Sequence, residues 1–336
     1  MAQNTTLNPI IDLGRKEDGT TDIAAFAKDV AHGLSLKQKD LPSRYFYDGK
    51  GSQLFQQIMQ LPEYYLTRAE HEVFATNKEA IVTQFSEEGF FHLIDLGAGD
   101  AAKTKILLRQ LSQQGADFDY VPVDISGDAM RQLCDSLRAE LPDVAVQAVV
   151  GEYFKALQWL QEHKSERKVV LFLGSNIGNF EKHESIEFLQ SIRSYLSPGD
   201  RLLMGVDLRK NPDIILPAYD DAAGVTAAFN LNLLHRINRE LGGEFKVEQF
   251  RHYAIYNPLE GVMRSFLISL QDQDVHIREI GKTYHFKAWE AIHTENSHKY
   301  SIDEIEELGK LCGFEVETVY FDSDKRFADV LLGITN

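Results

Sequence analysis

FHLIDLGAGDAAKTKILL, Phe91 to Leu108, joins a mostly apolar run to a glycine-rich turn and then to a stretch with helical spacing. A short apolar run bounded by a turn reads as a buried strand. KTKILLRQLSQQG, beginning at Lys103, repeats its apolar positions every three or four residues and reads as an amphipathic helix. Strand, glycine turn and helix make the first unit of a βαβ order. The alternation continues through YVPVDIS, DAMRQLCDSLRAEL, VAVQAVVGEYF, KVVLFLGSNIGNF, HESIEFLQSIRSYLSPGD and RLLMGVDL. Five strands are predicted by Asp207, in a doubly wound α/β core with a parallel sheet.

Outside that core the pattern changes. Residues 1–20 are polar and read as a loosely held arm. From Asp22 to about Glu88, Ile23, Phe26, Val30, Leu54, Ile58 and Leu61 recur at helical spacing, with Pro42 and Pro62 as breakers. After Asn211 the alternation stops. AYDDAAGVTAAFNLNLLHRINRELGG reads as one long helix ending at a glycine pair, and Phe250 to Thr294 as antiparallel strands with period-2 patterning. This is an inserted α+β region. SIDEIEELGKLCGF is then a helix with a serine cap and a glycine stop, and FEVETVYF with FADVLLGI closes the sheet as a hairpin.

A chain of 336 residues, 43% hydrophobic, can bury a large core and carry a second, smaller one. The formal net charge of −16, without a basic block, argues against a nucleic-acid or membrane-surface partner and for a small-molecule substrate. Two cysteines, Cys134 and Cys312, without CxxC spacing suggest neither a disulfide framework nor a zinc site. The histidines, among them His285, His293 and His298, show no metal-ligand spacing, so no metal is expected. No apolar run approaches the roughly 18 residues of a membrane span, and no secretory leader is recognisable. A soluble, cytoplasmic chain, expected to act as a monomer, fits these features.

In DLGAGDAAK, Gly97 suits the tight turn off the strand and Gly99 lets a ligand approach the backbone. With Ala102 they meet the G-x-G-x-x-G/A spacing of dinucleotide binders, a match that by itself is weak. A nicotinamide dehydrogenase and a turn with no ligand both remain open on that evidence. Asp95, just before the turn, would repel a pyrophosphate but accept hydrogen bonds from a cationic ligand, which favours S-adenosylmethionine. Asp124 closes the second strand, where a carboxylate accepts ribose hydroxyls, and Glu152 with Tyr153 closes the third, where an adenine would lie. Lys103 is placed to reach the cofactor's methionine carboxylate. Each of these residues taken alone reads more readily as a cap or a solvated side chain; three strand ends converging on one nucleoside do not.

The chain resembles a known family: the S-adenosylmethionine-dependent Nα-methyltransferases of histidine that open ergothioneine biosynthesis, with fungal relatives acting on tryptophan derivatives. The stretches that carry the resemblance are SRYFYDGKGSQLFQQIMQLPEYYLTRAE, LIDLGAGDAAKT, VVLFLGSNIGNF, PAYDDAAGVTAAFN with INREL, and TENS, spanning about Leu41 to Ser297. The resemblance implies a class I, Rossmann-like methyltransferase core of seven strands, residues 76–206 and 300–336, with a substrate domain built from residues 1–75 and 207–299. It implies cofactor contacts at Gly97, Lys103, Asp124, Glu152 and Tyr153, the last two standing where the histidine enzymes carry Asp-Phe. It implies amino-acid contacts at Tyr64, Asn179, Tyr219 and the segment Glu295, Asn296, Ser297. It further implies that Ser265 stands where the histidine enzymes have methionine, with Met263 two residues away on the same face.

The chemistry of those side chains agrees. Asn179 offers a donor and an acceptor to an amino-acid head group, and with Tyr64 it is the expected positioning pair for the reacting nitrogen. Tyr64 and Tyr219 are uncharged donors suited to an α-carboxylate. In AIHTENSHKY, period-2 geometry puts Glu295 and Ser297 on one face, so that Glu295 accepts from one imidazole N–H while Ser297 donates to the other nitrogen. Tyr47 or Phe46 offers a π face to the ring or to a quaternary ammonium. The expected activity is methyl transfer from S-adenosylmethionine to the α-nitrogen of L-histidine. A methyltransferase of another aromatic amino acid and a non-enzymatic binder of small molecules remain as alternatives.

Overall fold

A computed structural model describes residues 10–13 and 23–335. Most of the predicted N-terminal arm lies outside the described residues. Its described part is ordered: Ile11–Asp12 pairs in parallel with Val149–Val150 at one edge of the large sheet.

The large sheet is what the alternation predicts. Phe91–Leu96 lies at its middle, flanked by Phe118–Asp124 on one side and Lys168–Phe172 on the other, with Arg201–Asp207 beyond. Phe327–Ile334 runs antiparallel to Arg201–Asp207, and Phe314–Phe321 forms the far edge. The stretch expected as a third strand is broken into Ala145–Val146 and Val149–Val150, both parallel to Phe118–Asp124. Counted as one broken strand, it completes seven, with Ile11–Asp12 added at its edge. Neighbouring residues on each strand face opposite layers. Leu93, Tyr120, Val169 and Leu203 pack under the helices Leu66–Ser86, Thr104–Gln114 and Gly127–Glu140. Ile94, Val121, Val170 and Leu202 pack under Tyr153–His163, Lys182–Ser194 and Ile302–Leu311. The chain order reverses beside Phe91–Leu96, so a crevice opens at the carboxyl ends of the parallel strands.

A second core stands beside the first. The helices Ile23–Ser35, Gly49–Gln60 and Val225–Leu241 close on a four-stranded sheet in the order Lys39–Asp40, Ala291–His298, Val262–Ser269, Phe250–Asn257. The helix Leu66–Ser86 straddles position 75 and packs from Ala69 to Phe85 on the large sheet. The long helix is shorter than the sequence suggests. It starts at Val225, because Gly224 takes a left-handed φ of 74° and the Asp221 carboxylate accepts the N–H groups of Val225 and Thr226 at 2.9 and 2.7 Å. The last helix is as read: Ser301 caps it in a reciprocal box with Glu304.

Candidate active site

The glycine turn has left-handed φ at Gly97, Gly99 and Ala101 (78°, 54° and 51°). A side chain at Gly97 would place its Cβ 2.8 Å from the Tyr153 hydroxyl, whereas nothing stands within 4 Å of Gly99 on that side. The first glycine is required by packing, and the second leaves the backbone open to a ligand. Asp124 faces the same turn: its Oδ2 accepts the Gly99 N–H at 3.1 Å and its Oδ1 the Ser126 N–H at 2.8 Å. Burial raises its pKa, against those backbone donors. Tyr153 packs edge-on against Phe172 and Phe188, and burial pushes its hydroxyl up to about 12. Glu152 is exposed at the helix start and makes no capping bond. Gly97, Asp124 and Tyr153 thus stand together at the glycine turn, with Glu152 exposed beside Tyr153.

Asp95 departs from expectation. It is 2% exposed and accepts hydrogen bonds from the Thr104 and Tyr120 hydroxyls at 2.7 and 2.8 Å, stitching helix and neighbouring strand to its own. As period 2 requires, it shares the layer of Leu93, under the helix that starts at Thr104, and so does not look out of the strand end. Burial pushes its pKa to about 6. Lys103 is not a free cation either. It forms an ion pair with Glu70, which is buried in the helix Leu66–Ser86 and also accepts the Gly174 N–H at 2.7 Å. Nothing in LTRAEHEVF distinguishes Glu70 from a solvated helix position, so sequence reasoning missed it.

On the other side of the crevice a cavity gathers Tyr47, Tyr64, Asn179, Tyr219, Glu295 and Ser297, with Phe55 and the turn Gly174–Asn176 also on its wall. Gly174 lies beside the Lys103 ammonium, and the Asn176 amide stands between Gly97 and Gly174, so the cavity abuts the glycine turn. Asn179 ends a one-turn 3-10 helix after the strand Lys168–Phe172, entered through Gly174 and through Ser175 at φ 58°. Tyr64 meets Tyr219 and Phe55 edge-on, and Tyr47 meets Phe55 and Phe229 in the same way.

Glu295 and Ser297 share a face, as period 2 predicts. Glu295 lies opposite Ser265 and Ser297 opposite Met263, and a bulge between Ser265 and Phe266 absorbs Thr294. Asn296 does not join them. It points to the other face, donating to Glu181 Oε1 at 2.9 Å and meeting His293 Nε2 at 3.1 Å, so it is a structural residue. Phe46 is likewise excluded from the pocket; it is buried against Phe229, while Tyr47 lines the cavity. Ser265 stands beside Glu295 at 1% exposure and is not on the wall.

The Glu295 carboxylate has no hydrogen-bond partner among the described residues, and burial pushes its pKa to about 7 despite the positive charges of Lys299 and His293. A raised carboxylate pKa means that the folded state holds its proton where the unfolded state has lost it. Stability from this group is therefore full below about pH 4.5, falls as pH rises towards 7, and stays low above. Glu295→Gln should stabilise the protein at pH 8 by roughly 1 to 3 kcal/mol, a gain that shrinks towards pH 5. Urea unfolding at both pH values measures it; a gain that does not depend on pH would assign the effect elsewhere.

Among the described residues no group of three or more His, Cys, Asp or Glu side chains is placed to hold a metal ion, and no helix is long and apolar enough to cross a membrane.

Residues 26–334 match a family model described as histidine-specific methyltransferase, SAM-dependent. Among curated proteins, the chain is 37% identical to a histidine N-alpha-methyltransferase of Mycolicibacterium smegmatis, over 82% of this chain and 84% of that one. It is 30% identical to ergothioneine biosynthesis protein 1 of Schizosaccharomyces pombe, over 85% of this chain but 38% of that longer protein. It is 28% identical to an N-methyltransferase of Aspergillus flavus, over 94% and 85%.

Proposed function

The chain belongs to the histidine-specific, S-adenosylmethionine-dependent methyltransferases, and from that membership we propose that it transfers methyl groups to the α-amino nitrogen of L-histidine, ending at the trimethylated betaine, as the first step of ergothioneine biosynthesis. The observation that carries the choice of histidine is the pair Glu295 and Ser297 on one face of the cavity, the carboxylate without a partner of its own. An imidazole N–H satisfies Glu295, and the second ring nitrogen engages Ser297. An indole has one N–H and no ring acceptor, and leaves one of the two unmatched.

Adjacent openings suit the two substrates. Gly97, Asp124, Glu152 and Tyr153 take the adenosine part of S-adenosylmethionine. Lys103, once its ammonium is drawn from Glu70, takes the methionine carboxylate. Asn179 and Tyr64 hold the head group of the amino acid so that its nitrogen approaches the methyl group in line with the departing sulfur. Such a reaction asks chiefly for placement and for a neutral amine. Burial among Tyr47, Tyr64 and Phe55, with the sulfonium charge nearby, lowers the amine pKa towards that state. In this reading residues 23–65 and 207–299 form the amino-acid half, and 76–206 with 300–336 the cofactor half, which Ile11–Asp12 and the helix Leu66–Ser86 join.

Purified protein with S-adenosylmethionine and a mixture of the common amino acids, followed by mass spectrometry, tests the assignment. Histidine should acquire one, two and three methyl groups; methylation of another amino acid with histidine untouched overturns it. The side-chain reading has its own test. Glu295→Ala should cost histidine a charge-assisted hydrogen bond of roughly 1.5 to 3 kcal/mol and leave tryptophan unaffected or improved. The ratio of kcat/KM for histidine over tryptophan should drop by roughly tenfold or more. A ratio that holds would show that Glu295 does not read the ring.

A further inference from the structure

The Lys299 side chain has no exposed surface, yet nothing in HTENSHKY marks it as more than a solvated lysine. Its ammonium donates to two hydroxyls, that of Tyr219 and that of Ser297, both at 2.7 Å, and forms an ion pair with Asp207 Oδ2 at 2.8 Å. An ammonium has N–H donors and no acceptor, so towards both hydroxyls it acts as donor while Asp207 balances its charge. Asp207, itself fully buried, is held in turn by the Tyr65 hydroxyl at 2.7 Å and by Lys210, and its backbone N–H donates to Ser175 Oγ at 2.9 Å. The lysine is therefore fixed from behind by a carboxylate anchored at the end of the strand Arg201–Asp207.

Two of the three oxygens it holds belong to the cavity wall. Tyr219 and Ser297 are also 2.7 Å from each other. Each hydroxyl has one hydrogen, and each already accepts one from Lys299. One of their two hydrogens lies in the bond between them, which leaves a single hydrogen to point into the cavity. The sequence-based expectation that Tyr219 donates to a carboxylate while Ser297 separately donates to a ring nitrogen exceeds this supply by one. We propose that Lys299, backed by Asp207, is a positioning residue that locks Tyr219 and Ser297 into a unit presenting one hydrogen-bond donor to the amino-acid substrate. The hydroxyl whose hydrogen is used internally offers the ligand a lone pair. The ammonium also polarises both hydroxyls, which makes the one free hydrogen a stronger donor than an isolated hydroxyl.

This inference rests on the proposed amino-acid site, and its test separates the two. Lys299→Met keeps length and apolar volume, removes every donor and leaves Asp207 paired with Lys210; should it fail to fold, Lys299→Leu makes the same removal with a branched side chain. In either variant kcat/KM for histidine should fall roughly tenfold or more, mainly through KM, while the Kd for S-adenosylhomocysteine by calorimetry stays within about threefold of wild type. Introduced into a Tyr219→Phe, Ser297→Ala background, the same change should cost histidine binding less than about threefold, since nothing is left to position. A loss of equal size in both backgrounds, or a folded Lys299→Met protein that turns over histidine at the wild-type rate and KM, overturns the proposal. Failure of the substrate reading looks different: wild type then methylates another amino acid, and the same cycle run on that substrate reads Lys299.

Discussion

Asp124→Ala should weaken S-adenosylmethionine binding by roughly a hundredfold or more, the largest effect expected of any single side chain here. Each Asp124 oxygen accepts one backbone N–H, from Gly99 or Ser126, and a carboxylate oxygen has a second lone pair free for a ribose hydroxyl. Two charge-assisted bonds at roughly 1.5 to 3 kcal/mol each are lost together, which corresponds to about two to four decades in Kd. The variant also releases the Gly99 N–H, so the turn loses the contact that ties it to the second strand. Calorimetry with S-adenosylhomocysteine reads the Kd, and a melting curve verifies the fold. An unchanged Kd in a folded variant would remove Asp124 from the site.

Asn179→Ala should depress turnover of histidine by about a hundredfold while the cofactor Kd holds, because a misplacement of about 1 Å in the attacking nitrogen costs that much in rate. The backbone that carries Asn179 is rigidly held. Gly174 and Ser175 both take left-handed conformations (φ 77° and 58°), the Gly174 N–H is bound by Glu70, and Ser175 Oγ accepts from Asp207. A non-glycine residue at such φ costs about 1 to 3 kcal/mol and persists where the surroundings impose it. The Asn179 amide itself has no hydrogen-bond partner among the described residues and lines the cavity, as a ligand-holding side chain must. Single-turnover kinetics at saturating cofactor measure the effect. Wild-type turnover in the variant would mean that the head group is held elsewhere, with Tyr64 and Asn176 the next residues to change.

The residues proposed to hold the cofactor could be picked out along the chain because they stand at successive strand ends. In a doubly wound sheet each βα unit delivers its carboxyl end to the same crevice, so Gly97, Asp124, Glu152 and Tyr153 converge by topology alone. Asp95 misled for a reason within the same rule. One residue earlier than the strand end, it shares the layer of Leu93 and turns into the sheet's packing against Thr104 and Tyr120. Glu295 and Ser297 were legible because period 2 is a local property, and Asn296 between them belongs to the opposite face by the same period.

What apolar spacing and strand alternation determine by themselves is the α/β core, the inserted region and the residues that a single element aims one way, since these depend on neighbours a few positions apart. Tertiary structure alone decided which distant side chains share a boundary: Glu70 against Lys103 and Gly174, and Lys299 against Tyr219 and Asp207. A buried lysine and a solvated one are identical in sequence. The difference is whether carboxylates and hydroxyls from strands and loops roughly 80 to 90 positions away arrive to compensate its charge. That depends on how the two cores close on each other, and with it the number of hydrogen-bond donors the cavity can show to its substrate.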